Sequence, residues 1–426
     1  MTTRLSRRSF GLLAGAAALT GLSACAARPP AKARVVVIGG GFGGATTAKY
    51  IRRLDPAIDV TLVERSKSFV TCPFSNAVIG GLQDISTITH SYDALSERWG
   101  VDVIHDEAIA VDTVKKIVAL KGGRQLSYDK LVVAPGIDFK WNAIEGYDEK
   151  AAEILPHAWK AGAQTITLRR QLEALEDGGV VALSVPANPY RCPPGPYERA
   201  SLIAHYLKTT KPKSKLLILD GKDSFSKQGL FQDAWAKMYP GLIEWVPLSK
   251  DGKITKVDAA ARVLESEFGT KHKVAVANVI PPQQAGAIAH VAGLVDKSGW
   301  VPVDAKTFEA KQAKDVYVVG DATIAAPQPK SGFIANAHGK VVAATIVNAV
   351  NGKGQLEPSW ANTCYSLIAP DYGITVAGVY RVGDKGLEEV PGSGGVSPKD
   401  ADAQFRALEA RYARDWYKSI TTDTWG

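Results

Sequence analysis

The stretch from Arg34 to Glu64 restricts the fold of this chain more than any other. Val35-Val36-Val37-Ile38 runs into Gly39-Gly40-Gly41-Phe42-Gly43-Gly44, a helix-forming segment covers Ala45 to Leu54, and Val60-Thr61-Leu62-Val63 leads to Glu64. The order is strand, glycine turn, helix, strand, acid. Gly39, Gly41 and Gly44 fit G-x-G-x-x-G: the first makes the tight turn, the second lets backbone approach a pyrophosphate, and the third lets helix pack on strand. Free N–H groups and the dipole at the helix start favour such an anion. Glu64, 20 residues beyond Gly44, is placed to accept hydrogen bonds from an adenosine ribose, and Arg65 beside it is counted with the same site. The pattern predicts dinucleotide binding, against the plainer reading of a glycine-rich turn in some other α/β unit.

Residues 1–30 read as an export signal. Ser6-Arg7-Arg8-Ser9-Phe10-Gly11-Leu12 is a twin-arginine pattern, and the apolar run Leu13 to Leu22 is too short to span a bilayer. The competing reading is a basic, disordered N-terminus on a cytoplasmic protein. Leu22-Ser23-Ala24-Cys25 resembles a lipoprotein cleavage box, which would leave a lipid anchor at Cys25; ordinary cleavage soon after Cys25 is the alternative. The expected location is periplasmic, reached by the twin-arginine route, with no transmembrane segment in the mature chain.

Of the formal charge of +8, half comes from the four arginines of residues 1–30, which hold no acid. The remainder is only mildly basic and has no Lys/Arg run, so no nucleic-acid partner is expected. Beyond the signal, Cys72, Cys192 and Cys364 remain. An oxidising compartment permits one disulfide and leaves one cysteine to explain. No C-x-x-C-H is present, so a c-type haem cannot sit on this chain, and neither C-x-x-C nor H-E-x-x-H suggests a metal site.

Tyr128 to Gly136 has the pattern of a buried strand ending in a small turn, preceded by a hairpin around Lys121-Gly122-Gly123, and Asp315-Val316-Tyr317-Val318-Val319-Gly320-Asp321 is a further strand ending in Gly-Asp. This pairing resembles the two-dinucleotide-domain flavoproteins related to disulfide reductases. The resemblance implies that Ala134, Gly136 and Asp321 contact FAD, with Asp321 at the ribityl and pyrophosphate region. A helix over about 333–350 would aim its positive end at the flavin pyrimidine.

The middle segment departs from that pattern. A strand at Gly178 to Val185 is followed by Pro186-Ala187-Asn188-Pro189-Tyr190-Arg191-Cys192-Pro193-Pro194-Gly195-Pro196-Tyr197-Glu198, where a second glycine fingerprint would stand in an NAD(P)H enzyme. Prolines remove the N–H donors a pyrophosphate needs. The βαβ shell continues through a helix at Glu198 to Lys208 and a strand at Lys215 to Asp220, but no NAD(P)H binding is expected. Cys192 falls at the strand end, where ligands bind in open sheets, and Cys364 follows the flavin-closing helix. A disulfide between them would be redox-active beside the flavin, or a structural staple. Glu198 would hold or shuttle a proton there, or serve as a helix N-terminal charge.

With the signal and the glycine turn, Thr71-Cys72-Pro73, Tyr190 to Glu198 and Asn362-Thr363-Cys364-Tyr365 resemble the flavoprotein subunit of flavocytochrome c sulfide dehydrogenase over essentially the whole mature chain. The resemblance implies an α/β fold: two Rossmann-like dinucleotide-binding domains, the second degenerate, plus a small C-terminal α+β interface domain. It implies FAD held covalently by a thioether to Cys72, for which a free buried thiol is the alternative. It implies that Cys192 and Cys364 form the disulfide attacked by hydrosulfide, giving a persulfide and then sulfane sulfur or polysulfide. It also implies that electrons pass to haem c on a cytochrome partner subunit in a heterodimer.

The expected boundaries are 1–30 for the signal, 31–150 and 276–355 for the FAD-binding domain, 151–275 for the second domain and 356–426 for the interface domain. Asp251 to Val257 and Val274 to Ile280 read as strands near the return to the FAD half, with Pro281-Pro282 as the crossing. Two other readings stand beside the enzyme. A sulfide:quinone oxidoreductase would need an amphipathic C-terminal helix, and the helix expected over Ala401 to Ser419 has Arg406, Glu409, Arg411, Arg414 and Asp415 spread round it. A non-catalytic flavin-containing binding protein would show no sulfide-dependent bleaching.

Overall fold

The computed structural model describes residues 30–426; the twin-arginine pattern, the apolar run after it and Cys25 lie outside the described residues. The first sheet begins with β1 (Arg34–Ile38), flanked by β2 (Asp59–Val63) and, beyond it, β3 (Asp102–Ile104), with β4 (Lys130–Val133) on the other side. All pairings are parallel. Val35 to Ile38 are buried without alternation, as expected of a strand covered on both faces. Helix α1 (Phe42–Leu54) leaves directly from the glycine turn. Gly39 takes φ +99°, and a Cβ on Gly44 would lie 1.9 Å from the Gly39 carbonyl oxygen. Both positions therefore exclude any larger residue, for conformational and steric reasons respectively. The short helix α2 (Ser75–Ile79) follows Cys72.

The second sheet is also parallel: β5 (Val180–Val185) lies between β6 (Lys215–Asp220), bordered by β7 (Ile243–Val246), and β8 (Val276–Val279). Helix α3 (Gly195–Thr210) starts three residues ahead of the expected Glu198. Pro194 caps it and Pro196 lies in its first turn, where a missing N–H costs nothing because no intrahelical acceptor faces it. Helix α4 (Gln228–Met238) follows β6. Two expectations need correction. The segment expected at Asp251 to Val257 forms Ile254–Asp258 in a separate antiparallel sheet. The boundary expected between 275 and 276 cuts the second sheet, because β8 pairs with β5 in register Val181 to Val276.

After residue 280 the chain returns to the first sheet, and β9 (Val316–Val318) pairs parallel with β4. Helix α5 (Gly332–Val350) opens on Ser331, whose Oγ accepts from the Ile334 N–H, a stabilising N-cap. Its length and apolar composition suit a membrane crossing, but it packs on α1. A Cβ on Gly339 would lie 2.7 Å from the Gly43 carbonyl oxygen, so the two helices touch backbone to backbone. The C-terminal region is an antiparallel hairpin of β10 (Ser359–Ala369) and β11 (Tyr372–Gly383), with β12 (Gly386–Glu389) at its edge and α6 (Ala403–Trp425) across it. The result is two Rossmann-like parallel sheets and a small α+β region, the fold class expected from the sequence.

Helix α6 runs six residues beyond the expected Ser419, and its last turn reaches the glycine turn. Trp425 Nε1 donates to the Gly40 carbonyl (3.1 Å), and its ring stacks on His90 and Phe69. Lys49 of α1 donates to the carbonyls of Thr422, Asp423 and Gly426, which satisfies the free acceptors at the end of α6. Arg406 and Glu409, two of the charges spread round this helix, point inward and pair with each other at 3.0 Å. Phe405, Leu408 and Tyr412 are exposed instead.

Candidate active site

A cleft of about 620 Å³ opens at the C-terminal end of the first sheet, where open α/β sheets bind ligands. Of the sequence candidates, Gly39, Gly41, Glu64, Arg65, Cys72, Ala134, Gly136 and Asp321 all line it, while Gly44 lies behind it as the helix-packing residue. Glu64 Oε2 accepts from the Gly40 N–H and Oε1 from the Ser66 N–H, both at 2.9 Å. Its carboxylate thus pins the turn and keeps lone pairs for a ribose. Arg65 is at the mouth, 3.5 Å from Glu107.

Asp321 supplies the test for a flavin nucleotide. Its Oδ1 is buried with no hydrogen-bond partner, its Oδ2 lies 3.8 Å from Arg191, and burial raises its pKa. A buried orphan acceptor in a cleft of this size calls for a hydroxyl donor, which a ribityl chain has. The residues present fit FAD. Gly332 and Ala335, at the start of α5, line the same cleft.

His338, which carried no signal in the sequence, holds the Gly-Asp loop in place. The Gly320 N–H donates to its Nδ1 (3.2 Å), so Nε2 carries the proton toward Gln328 Oε1 (2.8 Å). Burial, and then Lys330, push its pKa down to about 3; burial and three neighbouring cations do the same for His157. Both stay neutral in the fold while the unfolded chain takes up protons below the ordinary value of 6.5. Stability therefore falls as pH drops, by about 2 kcal/mol for each histidine between pH 7 and pH 5. Urea unfolding midpoints at the two pH values measure this, and His338→Gln is expected to flatten the dependence.

A second, smaller cavity of about 90 Å³ adjoins the cleft, and Cys72, Pro73, Arg191 and Gly332 line both. All three described cysteines face it as free, part-buried thiols. Cys192 has left-handed backbone (φ +59°), with its N–H donating to the Lys330 carbonyl. Cys364 lies in β10. Cys72 Sγ donates to the Trp159 carbonyl at 3.4 Å. Burial, then Cys364, Glu198 and Cys72, push the Cys192 thiol up.

Glu198 stands in the first turn of α3 and also on the cavity wall, so both of its sequence readings describe its position. Its Oε2 accepts from Asn76 Nδ2 (2.8 Å) and its Oε1 from the Leu367 N–H (2.9 Å). Burial nevertheless raises its pKa, the direction that favours a carboxyl able to carry a proton. Behind it, Arg199 is fully buried and donates to Asn76 Oδ1, Asn278 Oδ1 and the carbonyls of His157 and Ala158. Burial lowers its pKa to about 10. Nothing in the sequence marks Asn76 or Arg199, whose partners come from distant segments.

Known proteins match the chain in three blocks. Residues 165–281 match the central region of the sulfide dehydrogenase (flavocytochrome c) flavoprotein chain, residues 356–425 the flavin-binding region of flavocytochrome c sulphide dehydrogenase, and residues 33–170 pyridine nucleotide-disulphide oxidoreductases. The flavocytochrome c sulfide dehydrogenase flavoprotein chain of Chlorobaculum thiosulfatiphilum is 78% identical over 45 residues, 11% of this chain and 94% of that sequence. The sulfide-quinone reductase of Aquifex aeolicus is 23% identical over 370 residues, 80% of this chain and 83% of that one. The crystal structure of sulfide:quinone oxidoreductase from Aquifex aeolicus superposes with a TM-score of 0.71 over 92% of each chain at 19% identity, a likeness of fold.

Proposed function

Because the chain belongs to the flavocytochrome c sulfide dehydrogenase flavoprotein family, we propose that it oxidises hydrosulfide at Cys192 and Cys364 and delivers the electrons, through FAD, to a c-type cytochrome subunit. The observation that carries this reading is the convergence of three cysteines on one cavity whose wall is shared with the nucleotide cleft. In the oxidised protein Cys192 and Cys364 are joined as a disulfide. Hydrosulfide attacks one sulfur, leaving a persulfide on that cysteine and a thiolate on the other. The persulfide sulfur is already at the sulfane level and keeps the proton, which Glu198 receives when that sulfur is released. FAD supplies a two-electron acceptor that hands electrons on singly.

Cys72 faces both cavities and is assigned the covalent link to FAD. Arg191 and Asp321 bind the middle of the cofactor, Glu64 the ribose, and the turn from Gly39 to Gly41 the pyrophosphate. Acid precipitation of the wild-type protein is expected to leave its yellow colour in the pellet; Cys72→Ser is expected to release it to the supernatant. Colour in the wild-type supernatant would remove the thioether and leave the sulfide reaction standing.

The stripe of Phe405, Leu408 and Tyr412 exposed on α6 favours a second reading of the acceptor, a membrane quinone. Anaerobic titration with sulfide while recording the flavin spectrum tests the reaction itself. Rapid mixing of the reduced protein with cytochrome c or with a short-chain quinone then separates the acceptors, and the cytochrome is expected to be the faster. Excess sulfide that leaves the spectrum unchanged rejects the enzyme reading. Export by the twin-arginine route to the periplasm and the absence of an NAD(P)H site belong to the same proposal, resting on residues 1–30 and on the proline-rich turn after β5.

A further inference from the structure

Lys227 belongs to no motif. It precedes α4 with left-handed backbone (φ +61°) and is 7% exposed. Its ammonium donates to the Cys364 carbonyl (3.0 Å), Ser366 Oγ (2.8 Å) and the Ile374 carbonyl (3.4 Å). All three acceptors are neutral, and among the described residues it makes no salt bridge. A buried cation held only by neutral groups is costly unless an anion forms near it. The ionisable groups that face it are Cys364, Glu198, Cys192 and Glu409, and burial lowers its pKa to about 8.

The two sulfurs differ in what surrounds them. Ser331 Oγ accepts from the Ile334 N–H and so donates to Asn362 Oδ1 (2.7 Å). This orients Asn362 with Nδ2 toward Cys364 Sγ at 3.4 Å, with Oδ1 at 3.7 Å. Asn362 is 3% exposed, so its orientation is fixed by packing as well. Cys192 Sγ, by contrast, receives no hydrogen bond and packs beside Gly195 and Trp159. Cys364 Sγ has an N–H donor and Lys227 bonded to its own carbonyl, whereas Cys192 Sγ has no donor and meets Lys227 and the buried Arg199 only through space.

We infer that the disulfide is polarised: hydrosulfide attacks Cys192, and Cys364 leaves as the thiolate, stabilised by Asn362 at the sulfur and by Lys227 as a positioning residue on its strand. The inference rests on the sulfide reading above. As the bond between hydrosulfide and Cys192 Sγ forms, the Cys192–Cys364 bond breaks and its electron pair leaves on Cys364. The hydrosulfide sulfur is oxidised, the Cys364 sulfur is reduced, and the proton stays on the terminal persulfide sulfur. A thiolate is the better leaving group where its charge is already compensated.

Two measurements on the full-length holoprotein test this. In the first, oxidised protein receives one equivalent of hydrosulfide anaerobically and is quenched with N-ethylmaleimide, digested and mapped by mass. The persulfide adduct is expected on the Cys192 peptide and a plain alkylated thiol on the Cys364 peptide. A persulfide on Cys364 overturns the polarity alone; an intact disulfide with no persulfide on either overturns the sulfide reading and this inference with it. In the second, dithiothreitol-reduced protein is alkylated with iodoacetamide, and Cys364, whose sulfur alone has an N–H donor, is expected to react about tenfold faster than Cys192. Lys227→Met is expected to slow Cys364 more than Cys192 and so shrink that advantage, and Lys227→Arg to restore it. Equal rates in the wild type, or equal slowing of both thiols in Lys227→Met, would overturn the assignment.

Discussion

Sulfide-dependent bleaching of the flavin is expected to fall by at least about three orders of magnitude in Cys192→Ser and in Cys364→Ser alike, with the double variant no worse than either single one. Residues that act as one unit lose their effect together, so their losses do not add. Serine cannot form the disulfide, and neither remaining thiol has a partner to displace. Both positions line the smaller cavity and neither lines the nucleotide cleft, so the variants are expected to keep the yellow colour and the wild-type absorption maxima. Anaerobic stopped-flow at the flavin band gives the rates. Wild-type bleaching in either serine variant would sink the disulfide reading, and a double variant far slower than the singles would show that each sulfur works alone.

The second large effect is structural. Trp425 is 3% exposed, stacks at 5.1 Å on His90 and on Phe69, tilts against Phe42 at 4.9 Å, and donates to the Gly40 carbonyl. Truncation to alanine removes a large buried ring and is expected to lower stability by about 3–5 kcal/mol. Trp425→Phe keeps most of the ring and loses the hydrogen bond, and is expected to cost about 1–3 kcal/mol, the range for leaving a buried acceptor unpaired. Because the backbone behind the glycine turn loses its support, Trp425→Ala is also expected to hold flavin less firmly. Thermal unfolding with flavin fluorescence as the second probe measures both. An unchanged melting temperature in Trp425→Ala would mean that α6 does not support the turn.

What the sequence discloses and what it hides differ in range. The glycine turn, Glu64, the strand ending at Asp321 and helix α5 are set by local spacing and hydrophobic runs, and each stands where the pattern puts it. Cys192 and Cys364, too, line one cavity, as the segments carrying them suggest, and Cys72, placed there only by the family resemblance, lines it with them. Residues whose role depends on a remote partner leave no such trace. Glu198 meets Leu367 across 169 residues, Lys227 meets Cys364 across 137, and Arg199 meets Asn76 across 123. Helix α6 shows the same limit from the other side. Its charges look evenly spread, but Arg406 and Glu409 can turn inward because each neutralises the other, and that leaves an apolar stripe outside. The early start of α3 has a local cause: the prolines that argue for a stiff loop also suit the first turn of a helix.

The bond from Trp425 to Gly40 spans 385 residues, and this sets an order of events during synthesis. The strand and turn that line the nucleotide cleft leave the ribosome long before the aromatic group that backs them. A nascent chain therefore presents its nucleotide turn with no rear wall, and contacts of such long range form late. Firm flavin loading is therefore expected only once α6 has been made, and a chain broken off short of α6 is expected to hold the cofactor poorly.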